Sequence, residues 1–470
     1  MKKRSSFANA LTAHRAKNSP QSSSILPGTC RTSRDTRRQK PKSIALDGFA
    51  NANPRTLFVV AAGNDGPGPN TVLSPASAYN NMSVAALGPN PPYDRPAIFS
   101  SGGPNDYRDP VNGTVNNARQ VVDIASPGDM LSSAYYGGET GGNGTTDNPS
   151  ESGLGPSGLP AGSLGGPDYY TRGALGGTSF AAPTVAGGAA LLYDTAYDVF
   201  PGNADARDAR VMKAVLMNSA NKTFGWNNGQ VAHPNGNGGV LTIQGLDNRV
   251  GAGRMNLDNA YDQFLTGTTD IAGTTGGNLG LIDDIGWDFG QVSSGTTNDY
   301  FFNSPLAGGS TLNATLTWFR DRRINASNTV FDDSYDDLNL ELWSVVDGTF
   351  ISLISESASL YNESEHFSFE LPVPGDYALR VRWFKEVFDV VGDANQELYG
   401  LAWRTGATLA AATIPEPASV MLLTMVAIAY VASQHALRQG SRKRNKRESS
   451  HSASRSSKSH DASGSPAAGL

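Results

Sequence analysis

A single cysteine, Cys30, is all the chain contains, so no internal disulfide can form and cysteine usage says nothing about a redox compartment. Positive charge is scarce wherever a core could form. Residues 1–42 hold 11 Lys and Arg against one acid, Asp35, and residues 437–470 hold 8 against Glu448 and Asp461. That leaves 18 basic against 40 acidic residues between them, a balance that excludes nucleic acid as a partner of the folded part. Also lacking at the N-terminus is the apolar run of roughly 7–15 residues that an export signal needs. Residues 1–43 read instead as a basic disordered segment.

What is present suggests several units, since 470 residues allow two or three domains. From residue 44 to about 265 the texture is short apolar strands, glycine turns and small-residue helices, the mark of an α/β domain. Residues 266–280, "TGTTDIAGTTGGNLG", have a linker's composition. Over 281–410, period-two runs such as "ATLTWF", "LNLELWSV", "FSFELPV" and "YALRVRW" predict an antiparallel β-sandwich. In that sandwich "FDDSYDDLNLELW" groups Asp332, Asp333, Asp336 and Asp337, which read as a Ca²⁺ site or as a solvated acidic loop. No other cofactor is expected.

The C-terminal unit, 414–447, joins an apolar run from Ala418 to Ser433 to a basic cluster of Arg438, Arg442, Lys443, Arg444, Lys446 and Arg447. It predicts one transmembrane helix, with the basic end cytoplasmic and the body of the protein outside the cytoplasm. A disordered tail, 448–470, follows.

Two stretches carry chemistry. In "GGTSFAAPTVAGGAALL" a serine, Ser179, follows two glycines and opens an alanine-rich helix. A hydroxyl there sits at the positive end of a helix, where negative charge on a substrate oxygen is stabilised. In "TLFVVAAGNDG" a buried strand delivers Asn64 to a glycine-flanked turn, where its amide can donate to that oxygen. A Gly-, Ser- and Pro-rich stretch from Ala134 to Arg172 directly precedes the serine helix and reads as a flap or as disorder.

Together with "SPASAYNNMSVAA", "FSSGGP", "VVDIASPGDMLSS" and "VGAGRMNLDNA", these stretches resemble, in order, the later part of a subtilisin-like serine peptidase domain over residues 44–265. The resemblance implies a parallel-sheet α/β fold and an endopeptidase that forms an acyl-enzyme on Ser179, with Asn64 as the oxyanion residue. It also implies a specificity pocket walled by Ala61, Ala62 and Gly63 with Ser74, Pro75 and Ala76 at its base, open to a large or aromatic side chain. The family's aspartate motif, D-[ST]-G, and histidine motif, H-G-T-H, do not occur in this sequence. His14, His233, Asp35 and Asp47 lack the matching context and read as solvated side chains. The expectation is therefore a truncated and inactive chain, and the alternative is a pseudopeptidase that binds envelope components through its sandwich. "PEP" at Pro415, Glu416 and Pro417, with the apolar run and basic cluster after it, resembles a PEP-CTERM sorting signal. That resemblance implies an exosortase-type sorting enzyme as partner and a cell-envelope location, beside a protein or peptide substrate.

Overall fold

The computed structural model describes residues 40–134, 171–267 and 277–407. The N-terminal half runs α1 (Lys40–Ala52), β1 (Val59–Ala61), β2 (Met82–Leu87), β3 (Asn105–Asp109), β4 (Gly113–Arg119), β5 (Ile124–Pro127), β6 (Leu131–Ala134), β7 (Thr171–Leu175), α2 (Thr178–Val199), α3 (Ala209–Asn218), β8 (Val231–Ala232), β9 (Val240–Thr242) and α4 (Leu257–Leu265). The C-terminal half is all strand: β10 (Leu279–Ile282), β11 (Ile285–Ser293), β12 (Thr297–Phe302), β13 (Ser310–Trp318), β14 (Asp321–Ile324), β15 (Val330–Val346), β16 (Thr349–Ser357), β17 (Ser364–Glu370), β18 (Asp376–Asp389) and β19 (Gln396–Ala407).

Strands β1, β2 and β5 pair in parallel, in the order β1-β2-β5. "MSVAAL" in β2 is apolar or small throughout because both its faces are covered, and every residue of it is buried. Helix α2 packs on this sheet through Ala181, Ala182, Val185, Ala189 and Leu192, whose small volumes let it sit close. Among the described residues β1 is one edge of this sheet and β5 the other.

Two larger sheets enclose a second core: a mixed eight-stranded sheet, β10-β12-β18-β15-β16-β9-β8 with β14 on β15, and an antiparallel four-stranded one, β11-β19-β13-β17. Their alternating residues interleave as Trp318, Trp403, Tyr300, Leu340 and Phe367. Tyr79 and Tyr107, from the N-terminal half, join the same core against Tyr335. In return Trp287 and Ala402 enter the core of α2 and α3, with Trp287 stacked on Phe264 of α4 at 5.3 Å. Contact between α3 and β19 is close enough to require glycine, since a Cβ at Gly400 would lie 2.5 Å from the Arg210 carbonyl carbon.

Buried charge fastens the same junction. Asp47 of α1 is fully buried; it accepts the N–H groups of Tyr79 (2.9 Å) and Asn80 (2.7 Å) and pairs with Arg322 of β14 at 2.7 Å. The expectation of a solvated Asp47 is corrected, because its cationic partner lies 275 residues away and leaves no local trace.

The expected fold class is corrected too. The predicted order was an α/β parallel-sheet domain, an antiparallel sandwich and one transmembrane helix. Among the described strands, parallel pairing is found in β1-β2-β5, β10 with β12 and β9 with β16, and the other strand pairs are antiparallel, so the sheets are mixed and helices few. β8 and β9, expected in the α/β part, pair instead into the sandwich's larger sheet. Among the described residues no helix is long and apolar enough to cross a membrane, and the run from Ala418 to Ser433 lies outside them.

Candidate active site

The site forms where β1 ends and α2 begins. Gly177 precedes α2 with φ at 150°, a conformation that side chains rarely adopt, and its N–H donates to Gly128 O at 2.8 Å. Thr178 then locks onto the turn after β1. Its N–H donates to Asn64 Oδ1 at 2.9 Å, its hydroxyl donates to the same oxygen at 3.1 Å, and that hydroxyl accepts the Gly63 N–H at 3.1 Å. Two donors on one end of the amide fix that end as the oxygen, so the Asn64 NH2 group faces away from Thr178. Nδ2 lies 3.6 Å from the point a Cβ would occupy at Gly177.

Ser179 follows directly and is exposed on the first turn of α2, between the Thr178 N–H held by Asn64 and the Phe180 N–H, which donates to Gly177 O at 3.0 Å. An exposed hydroxyl, the start of a helix and an oriented amide thus meet in one turn. Such a set can stabilise an oxyanion that forms beside the hydroxyl. Ser101 holds the Asn64 turn from behind: its Oγ accepts the Asp65 N–H at 3.1 Å and its own N–H donates to Gly63 O at 2.9 Å. Thr178 and Ser101 are positioning residues that sequence reasoning left without a role, although both lie within motifs it singled out.

The remaining expected residues fall as follows. Ala61 ends β1 half-buried and Gly63 is half-buried, while Ala62 and Ala76 are buried in one apolar cluster with Val72 and Ala85. Pro75 is exposed. Ser74 turns its hydroxyl to Ser43 of α1 at 2.8 Å. It also lines a cleft of about 440 Å³ with Tyr79, Arg119 and Arg322, and neither Ser179 nor Asn64 borders that cleft.

Among the described residues, no hydrogen bond joins Ser179 to an imidazole or a carboxylate. His233 is half-buried in a turn, accepting the Asn235 N–H on Nδ1 at 3.2 Å. His366, which the sequence reading passed over, is buried on β17 between Lys222 Nζ (2.7 Å) and Thr315 Oγ1 (2.8 Å), and burial holds its pKa well below the usual histidine range. His14, Asp35 and the Pro415–Pro417 signal lie outside the described residues.

The acidic group on β15 is largely committed to the protein itself. Asp332 accepts four N–H bonds from Arg320 and Arg322 at 2.8–2.9 Å, Asp333 pairs with Arg323 at 2.7 Å, and Asp336 accepts the Trp383 indole N–H at 2.9 Å. Among the described residues no group of three or more acidic, histidine or cysteine side chains is placed to hold a metal ion.

Comparison with known proteins bears on the N-terminal half. The sequence profile of the Subtilase family matches residues 7–253. No curated protein matches the chain. Among solved structures, a psychrophilic protease aligns at 21% identity and a TM-score of 0.25, covering 45% of this chain and 50% of its own; the chain thus spans half that protease's length. The periplasmic inhibitor of g-type lysozyme from Aeromonas hydrophila aligns at 12% identity and a TM-score of 0.18, over 28% of this chain and 99% of its own. The pre-peptidase C-terminal domain of a Bacillus anthracis collagenase aligns at 15% and 0.17, over 27% and 94%.

Proposed function

The chain belongs to the subtilase family of serine peptidases, and from that premise we propose that Ser179 is the nucleophile of an endopeptidase site. The observation that carries the reading is the Thr178–Asn64 pair, which aims the asparagine amide beside an exposed serine at a helix N-terminus. In this mechanism Ser179 Oγ attacks the substrate carbonyl carbon as a histidine takes its proton. The carbonyl oxygen becomes an oxyanion held by Asn64 Nδ2 and the Ser179 N–H; as it collapses the histidine gives its proton to the departing amine, leaving an acyl-enzyme that water then hydrolyses. Ala61, Ala62 and Gly63, in the segment that leads to Asn64, flank the side chain before the scissile bond, whereas Ser74 borders the separate cleft.

The histidine has to come from outside these residues, because neither the D-[ST]-G nor the H-G-T-H motif occurs in the sequence. Without it, turnover falls by ~10⁶-fold, so the 470-residue chain alone is inactive. A segment bearing both motifs would pair with the open edge at β1, beside the Asn64 turn. The Pro415, Glu416, Pro417 signal and the basic cluster after it support sorting of the chain to the cell envelope by an exosortase-type enzyme.

Co-expression with a polypeptide carrying the two missing motifs tests the reading. A fluorophosphonate probe should then label Ser179, and Ser179→Ala should abolish labelling. Failure to label a stably assembled complex would favour the other reading, a non-catalytic binding protein.

A further inference from the structure

Gly176 and Gly177 lead into α2, and the Cβ atoms they lack would meet different neighbours in the turn before Ser179. On the Gly177 side stands Asn64. On the Gly176 side stands Asp129: its Oδ1 would lie 2.9 Å from a Gly176 Cβ, with the Phe99 ring 3.4 Å away. Asp129 is half-exposed at the turn between β5 and β6, next to Met130, which is 48% exposed. Oδ1 accepts the Met130 N–H at 2.9 Å. Oδ2 accepts no hydrogen bond among the described residues, and the carboxylate forms no ion pair there. Arg95, the arginine of the neighbouring loop, lies over the Phe224 ring at 4.2 Å instead.

We infer that Asp129 is a specificity-determining residue that selects lysine or arginine in the first two substrate positions after the scissile bond. This rests on the peptidase reading of Ser179. There the pocket residues and Asn64 take the acyl side of the substrate, so the leaving side passes the opposite flank, along Gly176. A basic side chain on that flank lays its aliphatic stem over Phe99 and Met130 and brings its charge to Asp129. The acidic middle of the chain, 18 basic against 40 acidic residues, draws basic polypeptides toward the folded part. Asp65, on the other flank, donates its N–H to Ser101 and belongs to the Asn64 turn.

Binding decides the matter without turnover. Two fluorescent acetylated peptides, identical with phenylalanine for the pocket but with Arg-Arg or Glu-Glu after it, are titrated against the full chain by anisotropy. The Arg-Arg peptide should bind about three- to fivefold tighter, the size of a partly exposed ion pair, and the gap should close in 0.5 M salt. Asp129→Asn should erase the preference and Asp129→Lys should reverse it. Equal affinities, or a preference that survives both substitutions, overturn the inference while leaving the peptidase reading intact. Binding of neither peptide overturns both.

Discussion

Asp47→Ala probes the junction on which the site's geometry depends. Asp47 is wholly buried and ties three segments together: α1, the Tyr79–Asn80 loop that follows Ser74, Pro75 and Ala76, and β14 of the sandwich. Burial raises its pKa, while the Arg322 charge and the two backbone N–H bonds pull it down. Truncation leaves the buried Arg322 with one counter-charge fewer, Asp332, and orphans two buried N–H groups. Breaking a buried pair by removing one partner costs about 3–5 kcal/mol. Each orphaned N–H alone is worth ~1–3 kcal/mol, but these costs overlap and do not add. The expected loss is about 3–5 kcal/mol, a large part of a typical total of ~5–15 kcal/mol. Asp47→Asn keeps the oxygen that accepts both N–H groups and loses only the charge that faces Arg322, so it should cost less, about 1–3 kcal/mol. Urea unfolding followed by tryptophan fluorescence measures both. If Arg322→Met is combined with Asp47→Ala, the two losses should fall short of additive by about 1–3 kcal/mol. A loss below about 1 kcal/mol for Asp47→Ala would refute the view that this buried pair holds the loop and sandwich together.

Three further outcomes are expected. Burial pushes Glu365 up to about 8 from its ordinary 4.5, against hydrogen bonds from Ser357 and Ser359 that lower it. The folded chain therefore keeps a proton the unfolded one loses. This contribution to stability is full below about 4.5 and falls as pH rises through about 8, by up to about 1.4 kcal/mol per pH unit. Thermal unfolding should show the slope, and Glu365→Gln should flatten it. Gly400→Ala forces β19 off α3 and should cost about 1–3 kcal/mol by urea unfolding, whereas Gly406→Ala, with nothing within 4 Å, should cost little. Proteolysis between residues 267 and 277 should leave two pieces that co-elute on gel filtration, since Trp287 and Ala402 share a core with α2 and α3; free separation of the pieces would contradict that packing.

Local periodicity and local motifs were the legible part of this fold. "ATLTWF", "FSFELPV" and "YALRVRW" alternate because one face of each strand meets the sandwich core; the first two begin in β13 and β17 and run past their ends, and the third lies within β18. The helix that opens at "GTS" and the turn carrying Asn64 were legible because glycine and small residues mark close backbone approach. The junction was not legible. It is written in isolated residues far apart, such as Asp47 with Arg322, Tyr107 with Tyr335, and Gly400 against Arg210, none of which alters a local pattern. The β3–β4 hairpin escaped for a related reason: in "GTVNNAR" five residues are exposed, so there is no alternation to read. Asp332 and Asp333 resembled a metal or solvent loop because their arginines, Arg320, Arg322 and Arg323, come from a separate strand and its approach.

The central claim is that Ser179 is a peptidase nucleophile, set beside its oxyanion amide and lacking its base within this sequence. Hydrolysis of a fluorogenic peptide with phenylalanine before the scissile bond tests it most directly. It is measured for the 470-residue chain alone and again with a polypeptide bearing the D-[ST]-G and H-G-T-H motifs, each with a Ser179→Ala control. The account predicts no turnover above the Ser179→Ala background for the chain alone, and Ser179-dependent turnover once the second polypeptide is bound. Ser179-dependent hydrolysis by the chain alone would contradict it, because a base would then act on Ser179 from within these residues.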